Sequence, residues 1–137
     1  MAAQTLNEGP RTQRSGGFRA YGKASGIGYS AGASGAVAQL TDRSTGVTLN
    51  SLCGSITTNA TSLAAAAEAS FVVTNSRVKV NDVVIVAARS GQSAGTSVPH
   101  VTAIADGSFT VTLTNLGAGA DTGAMIINFA VIKAVVS

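Results

Sequence analysis

The sequence predicts an all-β protein, a single β-sandwich or jelly-roll-like domain of about eight short strands with an extended N-terminal arm. About eight runs of β-forming residues recur at intervals of eight to fourteen residues, with turn residues between them. One run alternates strictly between apolar and polar residues, and an Asp-Gly pair separates two runs. Residues 1–34, in contrast, are rich in glycine and in basic residues. We therefore divide the chain into an arm, residues 1–34, and a β module, residues 35–137.

The arm carries the whole net charge of the chain. It has four basic residues and one acidic residue, whereas the β module has five of each. Seven of the sixteen glycines also lie in the arm, so we expect it to hold no regular structure in isolation. Fully extended, the arm would reach on the order of 110 Å, which is enough to cross a neighbouring subunit.

The arm also contains aromatic residues that a plain spacer does not need. We expect these side chains to dock into pockets of a partner protein while the arginines pair with its acidic surface. The candidate contact residues are Arg11, Arg14, Phe18, Arg19, Tyr21 and Tyr29. The alternative is that the arm only keeps the protein in solution.

The β module contains the expected strands. They cover residues 36–40, 47–49, 55–58, 71–74, 83–86, 100–104, 108–114 and 125–136. Within 108–114, Phe109, Val111 and Leu113 share one face, and serine and threonine occupy the other. Residues 83–86 form a continuous β-branched run of the kind that is covered on both faces. Asp106 and Gly107 are predicted to close a hairpin, and helix content should be near zero.

The composition predicts an obligate oligomer or assembly component. Only 11% of the residues are charged, although 45% are hydrophobic. A soluble domain has about 25% charged residues, so a free monomer of this composition is poorly protected against self-association. The single cysteine, Cys53, has no partner for an internal disulfide. We interpret it as a small apolar residue of the core or of an interface.

The residue types do not indicate an enzyme. One histidine, His100, and one cysteine are too few for a metal site, so we expect no metal, no cofactor and no catalytic residue. The Gly26–Gly28 pattern lacks the strand and helix of a dinucleotide site. We interpret the acidic residues of the module as turn formers or solvated surface groups: Asp42, Glu68, Asp82, Asp106 and Asp121. We expect no direct nucleic-acid binding either, because the module has no basic stripe.

The sequence also lacks the marks of membrane insertion or secretion. No apolar segment follows the first residues, so we expect no signal peptide. The longest apolar run, residues 125–136, is too short to span a bilayer as a helix and is interpreted as a buried strand. We expect the protein to be made in the cytosol and to stay soluble.

Nearly all of residues 35–137 resembles a family of small virion structural proteins of tailed bacteriophages. The segments that carry the resemblance are residues 44–50, 54–58, 69–76, 82–86, 107–115 and 127–133. Capsid decoration (cement) proteins commonly resemble this plan, with a small trimeric β module over a capsid three-fold axis and an extended arm across adjacent capsomers. The resemblance implies a virion component on the capsid exterior, with the major capsid protein and further copies of this chain as partners.

A second function stays open, in which the chain is a tail- or head-fibre module that contacts the host surface. The glycine- and serine-rich loops at residues 89–97 and 116–123 would then be the binding tips, and the arm would plug into the virion. The decoration function is favoured, because fibre tips usually display aromatic or charged residues and these loops have almost none.

Overall fold

The computed structural model describes Lys23, residues 26–93 and residues 96–136. Within these residues the chain forms eight strands and one 3-10 helix, Ala31–Ala33. The strands are β1 Ser34–Ala38, β2 Val47–Thr48, β3 Cys53–Thr57, β4 Glu68–Thr74, β5 Val83–Ser90, β6 Ser97–Ala105, β7 Ser108–Asn115 and β8 Ile126–Ile132. The prediction of an all-β module with about eight short strands is therefore confirmed.

The strands form two four-stranded sheets that pack as a β-sandwich. Sheet A has the order β1-β3-β8-β5, and sheet B has the order β2-β4-β7-β6. In each sheet the first pair is parallel and the remaining pairs are antiparallel. The jelly-roll part of the prediction is not confirmed, because parallel pairs are foreign to that antiparallel architecture. They arise because β1 to β4 alternate between the sheets, and each return to a sheet requires a crossover.

The core lies between the sheets and is built mainly from the central strands β7 and β8. As predicted, Phe109, Val111 and Leu113 of β7 are all buried. Phe109 packs against Phe129 of β8 with ring centroids 5.5 Å apart, so one aromatic pair joins the two sheets. Ile127 and Val131 complete the inward row of β8. The period of two that the sequence shows in β7 therefore decides which of its residues form the core.

The hairpin between β6 and β7 turns at Asp106 and Gly107, as the sequence predicts, with Ala105 paired to Ser108. Gly107 has a φ of 83°, a backbone conformation that glycine adopts without strain. The turn also docks on the loop after β4. The Gly107 N–H donates to the Val78 carbonyl at 3.0 Å, and the Asp106 carboxylate accepts from the Val80 N–H at 3.0 Å.

One prediction about residues 83–86 is wrong for the single chain. Val84 is buried, but Val83 and Ile85 are 49% and 50% exposed. The reason is architectural, because in a sandwich of two sheets each strand, including β5, has one face on the core and one face outward. A continuous apolar run predicts a strand correctly, but it does not reveal whether both faces of that strand are covered.

Gly54 is the position where the parallel pair β1–β3 is most sensitive to substitution. A Cβ atom on Gly54 would lie 2.3 Å from the carbonyl oxygen of Gly35 in β1. We expect Gly54→Ala to push β1 away from β3 and to lower the free energy of unfolding by about 1–3 kcal/mol, as overpacking does. Chemical denaturation measures the loss. The control is Gly119→Ala, where a Cβ atom meets nothing within 4 Å. Equal stability of the two variants would contradict this account of the pair.

Candidate functional site

The candidate arm contacts divide between residues inside and outside the described part of the chain. Tyr29 is described, and its hydroxyl donates a hydrogen bond to the carbonyl oxygen of Val131 in β8. Its ring remains 42% exposed. The hydroxyl therefore fixes the last part of the arm to sheet A and leaves much of the ring accessible. The other five candidates lie outside the described residues: Arg11, Arg14, Phe18, Arg19 and Tyr21.

The outer surface of sheet A, which we call face A, consists mostly of small and apolar residues. The register places these side chains on it: Ala36, Ala38, Cys53, Ser55, Thr57, Val83, Ile85, Ala87, Ile126, Asn128, Ala130 and Ile132. Val83 is paired with Ile132, and Ile85 is paired with Ala130, so these four form a contiguous apolar patch. Val83, Ile85 and Ile132 are each about half exposed, as the values of 49%, 50% and 47% show. We call these four residues the apolar patch.

A shallow polar depression lies beside the apolar patch on face A. It is lined by Ser34, Ser55, Asn128 and Arg89, with Cys53 at its margin. Arg89 stands at the bulge between Ala88 and Ser90, where the register of β5 shifts against β8. Face A therefore combines an apolar patch with a few hydrogen-bonding groups, and among the described residues Arg89 is the one charged residue that lines it. The half-buried Cys53 is consistent with an interface position.

The outer surface of sheet B, which we call face B, is mostly polar, although Val72 and Val98 are 46% and 44% exposed, and several of its hydroxyl groups bond to one another. The Thr112 hydroxyl lies 2.8 Å from that of Ser70 and 3.0 Å from that of Thr102, and thus links three strands. Thr114 donates to the Glu68 carboxylate at 3.0 Å. These polar groups therefore already have partners within the chain.

The two glycine-rich loops of the sequence analysis meet at one end of the sandwich. The Leu116 N–H donates to the Thr96 carbonyl at 2.8 Å, which joins the loops directly. Their backbones are so close that a Cβ atom on Gly123 would lie 1.9 Å from the Gly91 carbonyl oxygen. Only glycine fits at position 123. The described residues of the two loops, 89–93, 96–97 and 116–123, therefore form one packed surface at this end, which we call the loop end.

A buried ion pair of Arg43 and Asp121 underlies the loop end. Their side chains are 3% and 0% exposed, with Arg43 Nη2 3.7 Å from Asp121 Oδ1. Arg43 Nη2 also donates to the Gly123 carbonyl at 2.8 Å and to the Asp121 carbonyl at 3.1 Å, and Nε donates to the Thr61 carbonyl. One guanidinium therefore connects the turn before β2 to the segments at residues 61 and 121–123.

The Asp121 carboxylate is surrounded by donors. Oδ1 accepts from the N–H groups of Ser93 at 3.1 Å and Gly123 at 3.0 Å, and Oδ2 accepts from the Ser97 hydroxyl. Burial by itself raises the pKa of Asp121, but these hydrogen bonds and the charge of Arg43 outweigh it, so the pKa lies below its ordinary value. Asp121 is therefore an ionised structural anchor.

The interpretation of the acids as solvated groups is wrong for Asp82 and Asp121, which are buried. Both still form turns, because Asp82 accepts from the Lys79 N–H and Asp121 from the Gly123 N–H. The hydrogen bond from Lys133 is the main cause that holds the pKa of Asp82 below its ordinary value. Asp121 and Arg43 lie 78 residues apart in the chain, so no local pattern announces their pairing. Asp42 and Asp106 do form turns, as predicted.

The described residues contain few side chains that are grouped as a metal-binding or catalytic site requires. They contain no group of three or more His, Cys, Asp or Glu side chains that could hold a metal ion. His100 lies on face B, paired in register with Thr112. No helix in the described ranges has the length and apolar character needed to cross a membrane. The features that remain are surfaces: face A, the loop end, and the segment that leads from the arm into β1.

Comparisons with protein-family models, with curated proteins and with solved structures find no match to this chain. The surfaces of the sandwich and the sequence therefore have to indicate what this protein does.

The Arg43–Asp121 pair predicts a large effect of Asp121→Asn on stability. Removing one charge of a buried pair leaves the other uncompensated, and we expect a loss of about 3 kcal/mol in the free energy of unfolding near neutral pH. Because the pKa of Asp121 is lowered in the folded protein, this stabilisation is fully present at pH values above the ordinary aspartate pKa of about 3.9. It is lost as the pH falls through the lower native-state value. Chemical denaturation at neutral and at acid pH measures both effects.

The matched control is Asp106→Asn. Asp106 and its partner Lys79 are 3.9 Å apart and about two-thirds exposed, at 65% and 64%. An exposed pair of this kind contributes about 0–1 kcal/mol, so the control should stay close to the unmodified protein. The difference in the free energy of unfolding between the unmodified protein and Asp121→Asn should shrink towards acid pH. If it did not shrink, the ionised carboxylate of Asp121 would not be the anchor.

Proposed function

We propose that this protein is a capsid decoration (cement) protein of a tailed bacteriophage. In this proposal three copies associate through face A, and the N-terminal arm, residues 1–34, clamps the major capsid protein on the capsid exterior. The observation that carries the proposal is the contrast between the nearly uncharged face A and the arm that holds the whole net charge. The resemblance of residues 35–137 to virion structural proteins supplies the biological setting. The role is mechanical, since the trimer bridges capsid subunits.

The apolar patch supports association between copies. Fully burying a valine or isoleucine side chain contributes about 1.5–3 kcal/mol, and the three β-branched residues of the patch are only half buried in the single chain. Repeating this gain in each copy of a trimer gives a substantial stabilisation. The polar depression beside the patch provides hydrogen bonds of the kind that fix the register of an interface.

The arm suits the attachment to the capsid. Tyr29 fixes the point where the arm leaves the module, and the arm can extend from there over a neighbouring capsid subunit. Its arginines favour an acidic surface, and its aromatic side chains suit pockets. Because three arms would belong to one trimer, binding of the first raises the effective concentration of the others. Modest contacts per arm then give tight attachment.

The loop end supports the alternative, a tail- or head-fibre module that contacts the host surface. The loops at residues 89–97 and 116–123 are joined by hydrogen bonds and anchored by Asp121, so they present a defined surface. Leu116 is 73% exposed there. This surface carries little charge, however, and its host contacts would be mostly backbone and small side chains.

The decoration function predicts where the protein sits on a particle. Purified protein added to capsids that lack it should give regular density at three-fold or quasi-three-fold positions by electron cryomicroscopy. A variant without residues 2–22 keeps Tyr29 and every strand. We expect it to remain a folded trimer that no longer decorates the shell. Decoration by this variant would contradict the clamp. Density confined to the tail, with the full chain, would favour the fibre function.

The role of face A predicts that a charge in the apolar patch separates the copies. We expect Ile85→Glu to give folded monomers in sedimentation experiments, because three buried carboxylates would meet at the interface. The matched control is Val72→Glu on face B, where Val72 is 46% exposed and thus similar to Ile85. This variant should remain a trimer. If Val72→Glu dissociated the trimer and Ile85→Glu did not, face B would be the interface.

A further inference from the structure

A cleft that borders face A at Ser34 and lies apart from the loop end has a lining that points to one kind of ligand. It lies between the segment that leads into β1 and the loop before β3. Its polar side chains are those of Ser30, Ser34, Asn50, Ser51 and Arg77, and Gly32, Ala33 and Leu52 complete the wall. We call this feature the Arg77 cleft. No carboxylate lines it.

The hydrogen-bonding groups that remain available in the Arg77 cleft are mainly donors. Among the described residues, the Arg77 guanidinium and the hydroxyls of Ser30 and Ser34 make no hydrogen bond. Asn50 Oδ1 already accepts from the Ser76 N–H at 2.8 Å, which leaves the two amide protons of Asn50. Ser51 donates to the Cys53 carbonyl at 2.9 Å. The cleft thus offers one cationic fork and several neutral donors, and the matching ligand is an anion with oxygen acceptors.

We propose that the Arg77 cleft binds the carboxylate of an acidic side chain on a partner protein. A guanidinium matches a carboxylate with two parallel charge-assisted hydrogen bonds, and the neighbouring hydroxyl and amide donors serve the remaining lone pairs. That this partner is the major capsid protein rests on the proposed function. That the cleft binds a carboxylate follows from the arrangement of its donors and does not depend on the proposed function.

The charges around the cleft favour a single carboxylate over a nucleic-acid backbone. Lys133 is paired with the Asp82 carboxylate at 2.5 Å, and Lys79 lies 3.9 Å from Asp106. Of these three cations, Arg77 is thus the one that has no acidic partner among the described residues. Nucleic acid requires several cations along its phosphates. One arginine with neutral donors suits one acidic side chain.

The position of the cleft joins it to the arm. Ser30 and Ser34 lie at the end of the arm, directly after Tyr29, and thus form one wall of the cleft. A partner surface that the arm has bound is therefore led towards Arg77. The two contacts then act as linked sites on one partner, and each increases the effective concentration of the other.

The test is an NMR titration of the full chain with a hexaglutamate peptide. The dissociation constant is read from the backbone amide of Ser51 and from the side-chain amide of Asn50, which lie in the cleft and outside the arm. We expect Arg77→Gln to weaken this binding about tenfold, the loss typical of a charge-assisted hydrogen bond. The fold should be unchanged, because Arg77 is exposed and only its backbone N–H and carbonyl are hydrogen-bonded.

Lys79→Gln is the matched control, because it removes the same charge from a neighbouring exposed side chain outside the cleft. It should leave the dissociation constant within about twofold, as rim charges do. Equal weakening by both variants, or no shift of the cleft amides with the unmodified chain, would overturn the proposal. So would tighter binding of a ten-residue thymidine oligonucleotide at the same amides. Peptide binding in the cleft together with no density on capsids would contradict the decoration function and leave the cleft standing.

Discussion

The arrangement of this sandwich depends on the buried pair of Arg43 and Asp121. The hydrophobic core holds the sheets together without directional preference, and the glycine-rich loops have few large side chains with which to pack. Arg43 and Asp121 supply directional interactions, because each charged group forms hydrogen bonds with several separate segments of the chain. Separating these charges would leave each of them buried and uncompensated. The loop end is therefore held in a single arrangement.

This anchor also explains how edge strands can carry interaction surfaces. β5 and β6 leave and return through the loop that Asp121 binds at Ser93 and Ser97. With that connection fixed, β5 keeps its place at the edge of sheet A although only Val84 among its residues is buried. Because β5 is held by its connecting loop and by β8, it keeps its place even though its outer row of apolar residues is exposed. The apolar patch is a consequence of this arrangement.

The sequence predicts the features that depend on neighbouring residues. The alternation of Phe109, Val111 and Leu113 and the turn at Gly107 require no knowledge of distant residues, and both are confirmed. The parallel pairing of β1 with β3 and the burial of Asp121 depend on partners far away in the chain. The Tyr29 hydroxyl meets Val131 across 102 residues. No period or spacing marks such contacts, so the sheet order, the buried pair and the clefts could be found only in three dimensions.

The separation of charge between arm and module has a physical consequence for assembly. If the net positive charge were on the module, three copies around one axis would hold like charges within about 10 Å, where salt screens them only partly. With five basic and five acidic residues in the module, that repulsion is small. In the proposed trimer, an arm that carries the net charge would attract the chain towards an acidic surface while the neutral modules meet around the axis. The same distribution would therefore allow both close packing of copies and attraction to a shell. An even spread of charge over the whole chain would weaken the first without improving the second.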